Sequence, residues 1–175
     1  MDQTPSKSSS FFLCRLGALE AAAFRELRLE GLRNHPEAFG ASWEEESEKP
    51  LDWFKERLER NIVLAGAADN LQPLGVAALG IRQGLKLRHK GVLWGMYVRP
   101  EARGSGLAAA LVERLLSEAR GIVEEVHLTV VTSNNAAVRL YTRFGFKEYG
   151  LEQRALKFGG RYYDEVLMGY SVTKD

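Results

Sequence analysis

Residues 98–108 hold the side chains and spacing with the clearest chemistry in the sequence. They read Val-Arg-Pro-Glu-Ala-Arg-Gly-Ser-Gly-Leu-Ala and lie between an apolar run and a strongly helical pattern. Gly104 and Gly106 let backbone N–H groups approach a ligand, and a helix starting after them adds unpaired N–H groups at its positive end. Arg103 adds a planar guanidinium that suits phosphate oxygens. The segment is therefore predicted to bind phosphate.

Two common phosphate-binding patterns fit this segment poorly. The Walker loop requires Gly-Lys followed by Ser or Thr, which occurs nowhere in the chain. Residues 104–109 satisfy the dinucleotide pattern G-x-G-x-x-A, but residues 99–103 separate them from the preceding strand. Glu124 and Glu125 also precede the next predicted strand, whereas a ribose-binding acid ends it. A nicotinamide-dependent oxidoreductase stays as a minor alternative.

Two ordered motifs resemble those of the GNAT superfamily of N-acetyltransferases. Residues 103–108, Arg-Gly-Ser-Gly-Leu-Ala, are similar to its R/Q-x-x-G-x-G/A pyrophosphate loop. Residues 134–146 resemble its N-x-x-A-x-x-L-Y-x-x-x-G-F helix, one strand later, at the spacing that the fold needs. The resemblance is specific over about residues 92–148 and diffuse elsewhere. It implies an acetyl-CoA-dependent N-acetyltransferase.

The resemblance also implies where acetyl-CoA, as cosubstrate, would lie: between two strands that splay apart. Met96, Tyr97 and Val98 end the first strand, and the backbone of Met96 and Val98 would hold the pantetheine arm. The other residues expected to bind the cofactor are Arg103, Gly104, Ser105, Gly106, Leu107 and Ala108 for the pyrophosphate, and Asn134 for the arm. By the same match, Tyr141 would lie near the thioester sulfur as the general acid. No metal is implied.

The expected reaction gives Tyr141 a chemical task. An amine attacks the acetyl thioester directly, a tetrahedral intermediate forms, and the departing thiolate needs a proton. A thiol has a pKa of ~8.5 and a phenol of ~10, so the transfer is modestly uphill but local. A backbone N–H near Met96 would stabilise the oxyanion. Without the motifs, Tyr141 would be interpreted as an ordinary core aromatic.

The sequence leaves the general base open. Many N-terminal acetyltransferases of the superfamily have Glu five residues before the motif Asn, but Thr129 occupies that position here. His127 has an ordinary pKa of ~6.5 that suits a base, although a solvent-facing or core histidine is the simpler interpretation. Glu44, Glu45 and Glu46 are further candidates and could also attract a cationic amine, although a solvated acidic face is the simpler interpretation.

Alternation and helical spacing predict the elements that must position these residues. Strands are expected near residues 11–16, 62–68, 74–81, 92–98, 126–130, 146–158 and 162–172, and helices near residues 19–35, 51–58, 107–121 and 137–144. A polar stretch, residues 41–50, separates the first two helices. With the resemblance, this order predicts an α+β GNAT fold: a central mixed, mostly antiparallel sheet of about six to seven strands with helices on both faces.

Length and composition limit the class of protein. The chain has 175 residues, 45% hydrophobic and 27% charged, which suits one globular domain over residues 10–175 after a polar tail, residues 1–9, expected to be disordered. A net charge of +1 gives no basis for nucleic-acid or membrane binding, and the basic residues 82–90 are interpreted as a solvated hairpin. Cys14 is the only cysteine, which favours a reducing, cytoplasmic location.

The sequence does not identify the acceptor amine. Residues 159–168 resemble the closing hairpin of several small-amine acetyltransferases, which indicates a small-molecule or peptide amine without naming one. Homodimers are common in the superfamily, but this sequence gives no support for one. A non-catalytic acyl-CoA-binding module, which keeps the loop and has lost turnover, is the alternative function.

Overall fold

The chain forms a seven-stranded sheet with five α-helices, over the part that the computed structural model describes, residues 11–68 and 72–172. The strands are β1 (Phe12–Arg15), β2 (Ile62–Ala67), β3 (Pro73–Ile81), β4 (Lys90–Val98), β5 (Glu125–Val131), β6 (Lys147–Phe158) and β7 (Arg161–Ser171). The helices are α1 (Ala21–Asn34), α2 (Trp43–Ser47), α3 (Leu51–Arg60), α4 (Leu107–Ala119) and α5 (Asn135–Arg143). The tail predicted for residues 1–9 lies outside the described residues. None of the helices described here has the length and apolar character needed to cross a membrane.

The strand order is β1-β2-β3-β4-β5-β7-β6, and neighbouring strands are antiparallel except for β4 and β5. This order confirms the predicted mixed, mostly antiparallel sheet. The β4–β5 pair is parallel because α4 crosses from the end of one strand to the start of the other. The described strands do not form the doubly wound parallel sheet that a dinucleotide site needs, which argues against that alternative.

β4 and β5 are paired at one end only. The register joins residues 90–92 of β4 to residues 125–127 of β5, and the later residues of these two fully described strands are not paired with each other. Beyond Val92 and His127 the strands therefore separate. This separation opens the gap in which the site is built.

Helices cover both faces of the sheet, and each face has its own apolar core. α4 and α5 pack on one face, where α4 buries Leu107, Leu111 and Leu115 at helical spacing. α1 and α3 pack on the other face, where the rings of Phe24 and Phe54 meet edge-on with centroids 6.2 Å apart. The predicted arrangement of helices on both faces is confirmed.

Two glycines of the sheet determine how closely α4 approaches it. A Cβ at Gly66 of β2 would collide with the side chain of Leu107, and a Cβ at Gly75 of β3 would come within 3.0 Å of it. Leu107 is the first residue of α4, so the N-terminal turn of this helix lies directly on β2 and β3. The position of the helix start therefore depends on the sheet beneath it.

The polar stretch between the first two long helices is itself partly helical. Ser42 caps α2 by accepting a hydrogen bond from the Glu45 N–H at 3.2 Å. The first turn carries Glu44, Glu45 and Glu46, where the helix dipole favours negative charge. α2 turns Glu46 inward, where it is 5% exposed and paired with Arg28. The interpretation of this run as a solvated acidic face is therefore wrong for Glu46.

A polar cluster ties α1 to the end of β4. Glu30 accepts hydrogen bonds from the Tyr97 hydroxyl and from Arg99 Nε, both at 2.9 Å. Arg99 Nη2 lies 2.8 Å from the same carboxylate. Pro36 then prevents α1 from continuing. The cluster thereby positions the segment after α1, residues 35–39, beside the gap between β4 and β5.

Candidate active site

A cleft of about 740 Å³ opens beside the unpaired end of β4, and we call it the first cleft. Its volume lies within the range of small-molecule sites. All the residues predicted to bind acetyl-CoA except Ser105 line it: Met96, Tyr97, Val98, Arg103, Gly104, Gly106, Leu107, Ala108 and Asn134. The facing wall comes from the segment after α1 and from the start of α5. The structure thus brings the two sequence motifs to one place.

The loop before α4 has the backbone conformation that favours glycine. Gly104 and Gly106 have φ angles of +76° and +89°, and a Cβ at either position would have no heavy atom within 4 Å. The space beside the loop is therefore open to a ligand. Gly106 is the N-cap of α4, whose first N–H groups have no partner within the helix. These donors and the positive end of the helix suit an anion.

Hydrogen bonds fix two further side chains of this loop. Arg103 Nε donates to the Val98 carbonyl at 3.2 Å, and Arg103 Nη2 lies 2.9 Å from His35 Nε2. The guanidinium is thereby held against the wall of the first cleft. Ser105 does not line the cleft; its hydroxyl donates to the Ala102 carbonyl at 2.6 Å and accepts the first N–H of α4 at 3.3 Å. Ser105 therefore stabilises the turn.

β4 carries a bulge where it borders the first cleft. Its register with β3 shifts between Val76 and Ala78, so Gly95 and Met96 together oppose one residue of β3. Gly95 has a φ of +67°, which a side chain would strain. A bulge leaves an extra residue outside the regular ladder. The irregularity therefore falls where an oxyanion donor near Met96 is predicted.

Asn134 caps the helix that borders the cleft. Its Oδ1 accepts a hydrogen bond from the Ala137 N–H at 3.2 Å, which fixes the start of α5. The same side chain lines the first cleft. Its NH₂ group is left as a donor for a ligand.

Tyr141 lies behind the wall of the first cleft. Ala137 and Leu140 line the cleft, whereas Tyr141 is 5% exposed and its ring meets Phe146 edge-on, with centroids 5.7 Å apart. Burial raises the pKa of Tyr141 well above that of an ordinary phenol. The structure therefore places the predicted acid next to the cleft, protonated at neutral pH, without exposing it there.

A second cleft, of about 320 Å³, adjoins the first. Ala38 and Phe39 line both clefts, so the two spaces meet at the segment after α1. The second cleft lies between residues 92–95 of β4 and residues 127–129 of β5, where these strands begin to separate. Its volume is at the lower end of the range for small-molecule sites.

Three arginines line one side of the second cleft: Arg28, Arg57 and Arg82. Arg28 is 6% exposed, and its Nε and Nη2 donate to the two carboxylate oxygens of Glu46, each at 2.9 Å. A bidentate pair of this kind neutralises the charge of Arg28 within the protein.

Arg57 has no such carboxylate. Its guanidinium carbon lies 4.5 Å from the ring centroid of Trp53 and 4.4 Å from that of Trp94. Burial lowers the pKa of Arg57, while Glu46 raises it and Arg28 lowers it. Its Nε is buried without a hydrogen-bond partner, and it forms no ion pair with any described residue.

His127 lies on the opposite side of the second cleft with both ring nitrogens engaged. Its Nε2 lies 2.8 Å from a carboxylate oxygen of Glu125, and its Nδ1 lies 3.1 Å from the Tyr149 hydroxyl. The bond from His127 lowers the pKa of Glu125. His127 is therefore a partly buried, hydrogen-bonded residue of the cleft wall.

Sequence reasoning missed Glu165, the carboxyl group that lines the second cleft. The β5–β7 register places Glu165 opposite Val131 and on the same face as Thr129. Glu165 is 9% exposed; burial raises its pKa, the hydrogen bond from Thr129 lowers it, and Glu152 raises it. The sequence does show a charged residue within the alternating pattern of β7. It does not show which strand pairs with β7, and that pairing is what brings Glu165 to the cleft. Glu44 and Glu45 line neither cleft.

The sequence matches the model of the Acetyltransferase (GNAT) family over residues 24–146. The chain belongs to the GNAT family. The L-methionine sulfoximine/L-methionine sulfone acetyltransferase of Pseudomonas aeruginosa is 31% identical over 131 residues, which cover 70% of this chain and 76% of that one. The spermidine N(1)-acetyltransferase of Vibrio cholerae is 28% identical over 138 residues, 72% and 76% of the two chains. The structure of yncA from Salmonella typhimurium, solved with its cofactor acetyl-CoA, has a TM-score of 0.79 at 22% identity, over 95% of this chain and 96% of that one.

GNAT membership defines the class of reaction. The protein is an acyltransferase that transfers an acetyl group to an amine. The predicted family, α+β GNAT fold and enzyme class are confirmed, and the non-catalytic binding module is not favoured. The loop of the first cleft fits the cosubstrate, because Gly104 and Gly106 leave open the space that a phosphate group needs.

Proposed function

We propose that this GNAT protein acetylates the amine of a small molecule or peptide that enters the second cleft while acetyl-CoA occupies the first. The observation that carries the proposal is that the two clefts adjoin at Ala38 and Phe39, where β4 and β5 separate. Direct transfer requires the amine and the thioester to be held in contact. Two clefts that share lining residues and border one gap support such an arrangement.

The first cleft is proposed to bind acetyl-CoA, which supplies the thioester that the amine attacks. The backbone N–H groups around Gly104 and Gly106, the start of α4 and the guanidinium of Arg103 bind the pyrophosphate. The backbone of Met96 and Val98 and the amide of Asn134 hold the pantetheine arm. The bulge at Gly95 and Met96 supports a backbone oxyanion donor in this position.

Tyr141 is proposed to protonate the departing sulfur. Its position directly after Leu140, a residue of the cleft wall, supports this role. Burial keeps the phenol protonated, as a proton donor must be, because it raises the pKa of Tyr141. The same burial makes proton transfer from Tyr141 to a thiolate less favourable than transfer from an exposed phenol to a thiolate. The donation therefore requires direct contact between the hydroxyl and the sulfur.

Glu165 is proposed to accept the proton of the attacking amine. It is the carboxyl group of the second cleft, and Thr129, which stands where the sequence resemblance led us to look for a glutamate, donates a hydrogen bond to it. Burial raises the pKa of Glu165 and so makes it a stronger base than an exposed glutamate. His127 is the weaker candidate, because both of its ring nitrogens are already engaged.

We further propose that residues 10–175 act as one domain in a reducing, cytoplasmic environment. The lone Cys14 supports this location, since it cannot form a disulfide within the chain. The two relatives named above act on spermidine and on methionine sulfoximine or sulfone, which supports a small amine as acceptor.

A calorimetric titration with acetyl-CoA tests the first cleft without the acceptor. We expect micromolar binding, ~8 kcal/mol, and no binding of NADH. We expect Gly106→Val to lose the affinity, because a β-branched residue is strained at a φ of +89° and occupies the phosphate space.

The control variant for this titration is Gly84→Val. Gly84 has a φ of +99° and the same open surroundings, but it lies in neither cleft, so the variant has the same backbone strain and should bind normally. Normal affinity in folded Gly106→Val would refute the phosphate loop. No binding by the folded wild-type protein would refute the proposed function.

A further inference from the structure

The second cleft has an electrostatic asymmetry that acetyl transfer by itself does not require. Arg28, Arg57 and Arg82 line one side, and the only carboxylate paired with them among the described residues is Glu46. The other side carries Glu165 and hydrogen-bonding side chains of β5 and β6. One side of the cleft therefore has an excess of positive charge.

Arg57 and Arg82 both line the cleft without an ion pair to a described residue, and Arg57 is the partly buried one of the two. Arg28 donates two hydrogen bonds from its guanidinium to the Glu46 carboxylate, each at 2.9 Å. Arg57 stands on the cleft wall between Trp53 and Trp94, forms no ion pair with a described residue, and has a buried Nε without a partner. A partly buried guanidinium on a cleft wall without a carboxylate partner favours an anionic ligand that pairs with it.

The two aromatic rings give Arg57 a fixed orientation. Its guanidinium carbon lies 4.4–4.5 Å from two ring centroids, and these cation–π contacts hold the group on the cleft wall. A guanidinium can bind a carboxylate with two parallel hydrogen bonds. A cationic group placed there would be repelled by Arg57 and Arg82, whose charges no described carboxylate pairs with.

We infer that the acceptor is an amine that also carries a carboxylate, and that Arg57 binds this carboxylate in the second cleft. The inference rests on the proposed function, because it assigns the second cleft to the acceptor. With the carboxylate on Arg57, the amine extends across the cleft toward Glu165. The arrangement favours amino-acid-like acceptors over polyamines such as spermidine.

The first arm of the test needs no variant. Wild-type protein is assayed for thiol release from acetyl-CoA with free L-amino acids, including L-methionine sulfone, with the carboxamide of each one, and with spermidine. We expect kcat/KM for the preferred amino acid to exceed that for its carboxamide by about 10- to 100-fold, the effect of losing a charge-assisted pair. The amine of the carboxamide is less basic, so more of it is in the nucleophilic neutral form at neutral pH. Amine reactivity alone would therefore favour the carboxamide over the amino acid.

The second arm uses Arg57→Gln, with Arg60→Gln as its control. Arg60 lies on the same helix but is exposed, pairs with Glu56 at 3.6 Å and lines neither cleft. We expect Arg57→Gln to raise KM for the carboxylate acceptor about 10- to 100-fold, with little change in kcat, in KM for acetyl-CoA or in KM for the carboxamide. Arg57→Lys should restore part of the affinity, since it keeps the charge and loses the planar fork.

A binding measurement gives a readout independent of turnover. Two of the three tryptophans of the chain contact Arg57. Titration of the wild-type protein with the preferred amino acid, in the presence of CoA to prevent turnover, should change tryptophan fluorescence saturably. The carboxamide, and Arg57→Gln with the amino acid, should give no such change in the same concentration range.

The results of these experiments distinguish failure of the Arg57 inference from failure of the proposed function. Preference for amino acids together with the Arg57→Gln effect on their KM supports the inference. Equal or better acetylation of carboxamides or spermidine overturns it and leaves the proposed function intact. An equal loss for acids and carboxamides in Arg57→Gln also overturns it, because that result shows a structural role. Folded protein that binds no acetyl-CoA overturns the proposed function and this inference with it.

Discussion

Tyr141 and Glu165 stand on the two sides of the proposed proton transfer. Tyr141 lies behind the first cleft on α5, and Glu165 lies in the second cleft on β7. Burial raises the pKa of both groups, with opposite chemical consequences. The phenol keeps its proton at neutral pH but becomes a weaker acid, whereas the carboxylate becomes a stronger proton acceptor. Burial therefore favours the proposed base, and it leaves the proposed acid dependent on close contact with the departing sulfur.

Tyr141→Phe removes the hydroxyl and keeps the ring against Phe146. We expect kcat to fall by ~10²–10⁴-fold, with nearly unchanged affinity for acetyl-CoA, because the change removes the proton donor and leaves every residue that lines the first cleft in place. Thiol-release kinetics and calorimetry measure the two quantities. Tyr170→Phe is the control, because its ring also contacts Phe146, at 5.4 Å, and it should keep kcat. An unaffected kcat in Tyr141→Phe would remove this residue from the mechanism.

Glu165→Gln tests the base through the pH dependence of the rate. Glu165 must be deprotonated to act, so kcat/KM falls as the pH drops through its pKa, which burial raises above 4.5. In the wild type we expect kcat/KM to fall on the acidic side of the profile at a pH above that value. In Glu165→Gln we expect kcat/KM to be about 10²–10⁴-fold lower and to lose this acidic limb of the profile. A full rate with an unchanged limb would assign the proton to another group.

Glu152→Gln provides the matched control for this profile. Glu152 pairs with Glu165 across β6 and β7, is exposed, and raises the pKa of Glu165 by charge repulsion. Its removal should therefore move the acidic limb to lower pH and leave the plateau rate intact. A limb that does not move would show that it reports a different residue.

At the scale of elements, β2 and β3 determine where α4 begins. The first turn of α4 lies on Gly66 and Gly75, and the same turn supplies the N–H groups proposed to bind pyrophosphate. The anion site therefore depends on two sheet positions that never touch the ligand.

Gly66→Ala should show this dependence. The added Cβ collides with Leu107, so we expect a loss of about 1–3 kcal/mol in the free energy of unfolding and weaker binding of acetyl-CoA. Urea unfolding and calorimetry measure the two effects. Gly17→Ala, whose Cβ would meet its nearest atom, Glu20 Oε2, at 3.4 Å, should change neither. Wild-type affinity in Gly66→Ala would show that α4 shifts without disturbing the loop.

Features encoded within one short stretch of sequence could be predicted, whereas features that depend on contacts between distant parts of the chain could not. The loop at residues 103–108 and the apolar period of α4 each lie within one short stretch, so spacing alone located them. Glu165 enters the site only because β7 pairs with β5, and Arg57 only because β4 brings Trp94 against α3. The short helix α2 escaped prediction because a run of polar residues has no apolar period. Strand order and cross-chain contacts are the information that a pattern along the chain lacks.

At the scale of the molecule, the first cleft draws on β4, α4, α5 and the segment after α1. A ligand bound there holds together elements from both faces of the sheet. Acetyl-CoA at 100 times its Kd should stabilise the native state by ~2.7 kcal/mol and raise Tm by roughly 5–10 °C for a chain of this size. Thermal unfolding followed by circular dichroism measures the shift. Gly106→Val should show none, and a full shift in that variant would place acetyl-CoA elsewhere.

Phe39 belongs to both clefts, and its ring also lies against Arg28, whose guanidinium carbon is 5.3 Å from the ring centroid. If the two clefts hold the two substrates as proposed, one side chain lies beside both the donor and the acceptor. Any movement of Phe39 that one substrate induces therefore changes the free energy with which the other binds. Because such coupling is reciprocal, the acceptor must alter the affinity for acetyl-CoA by the same factor by which acetyl-CoA alters the affinity for the acceptor.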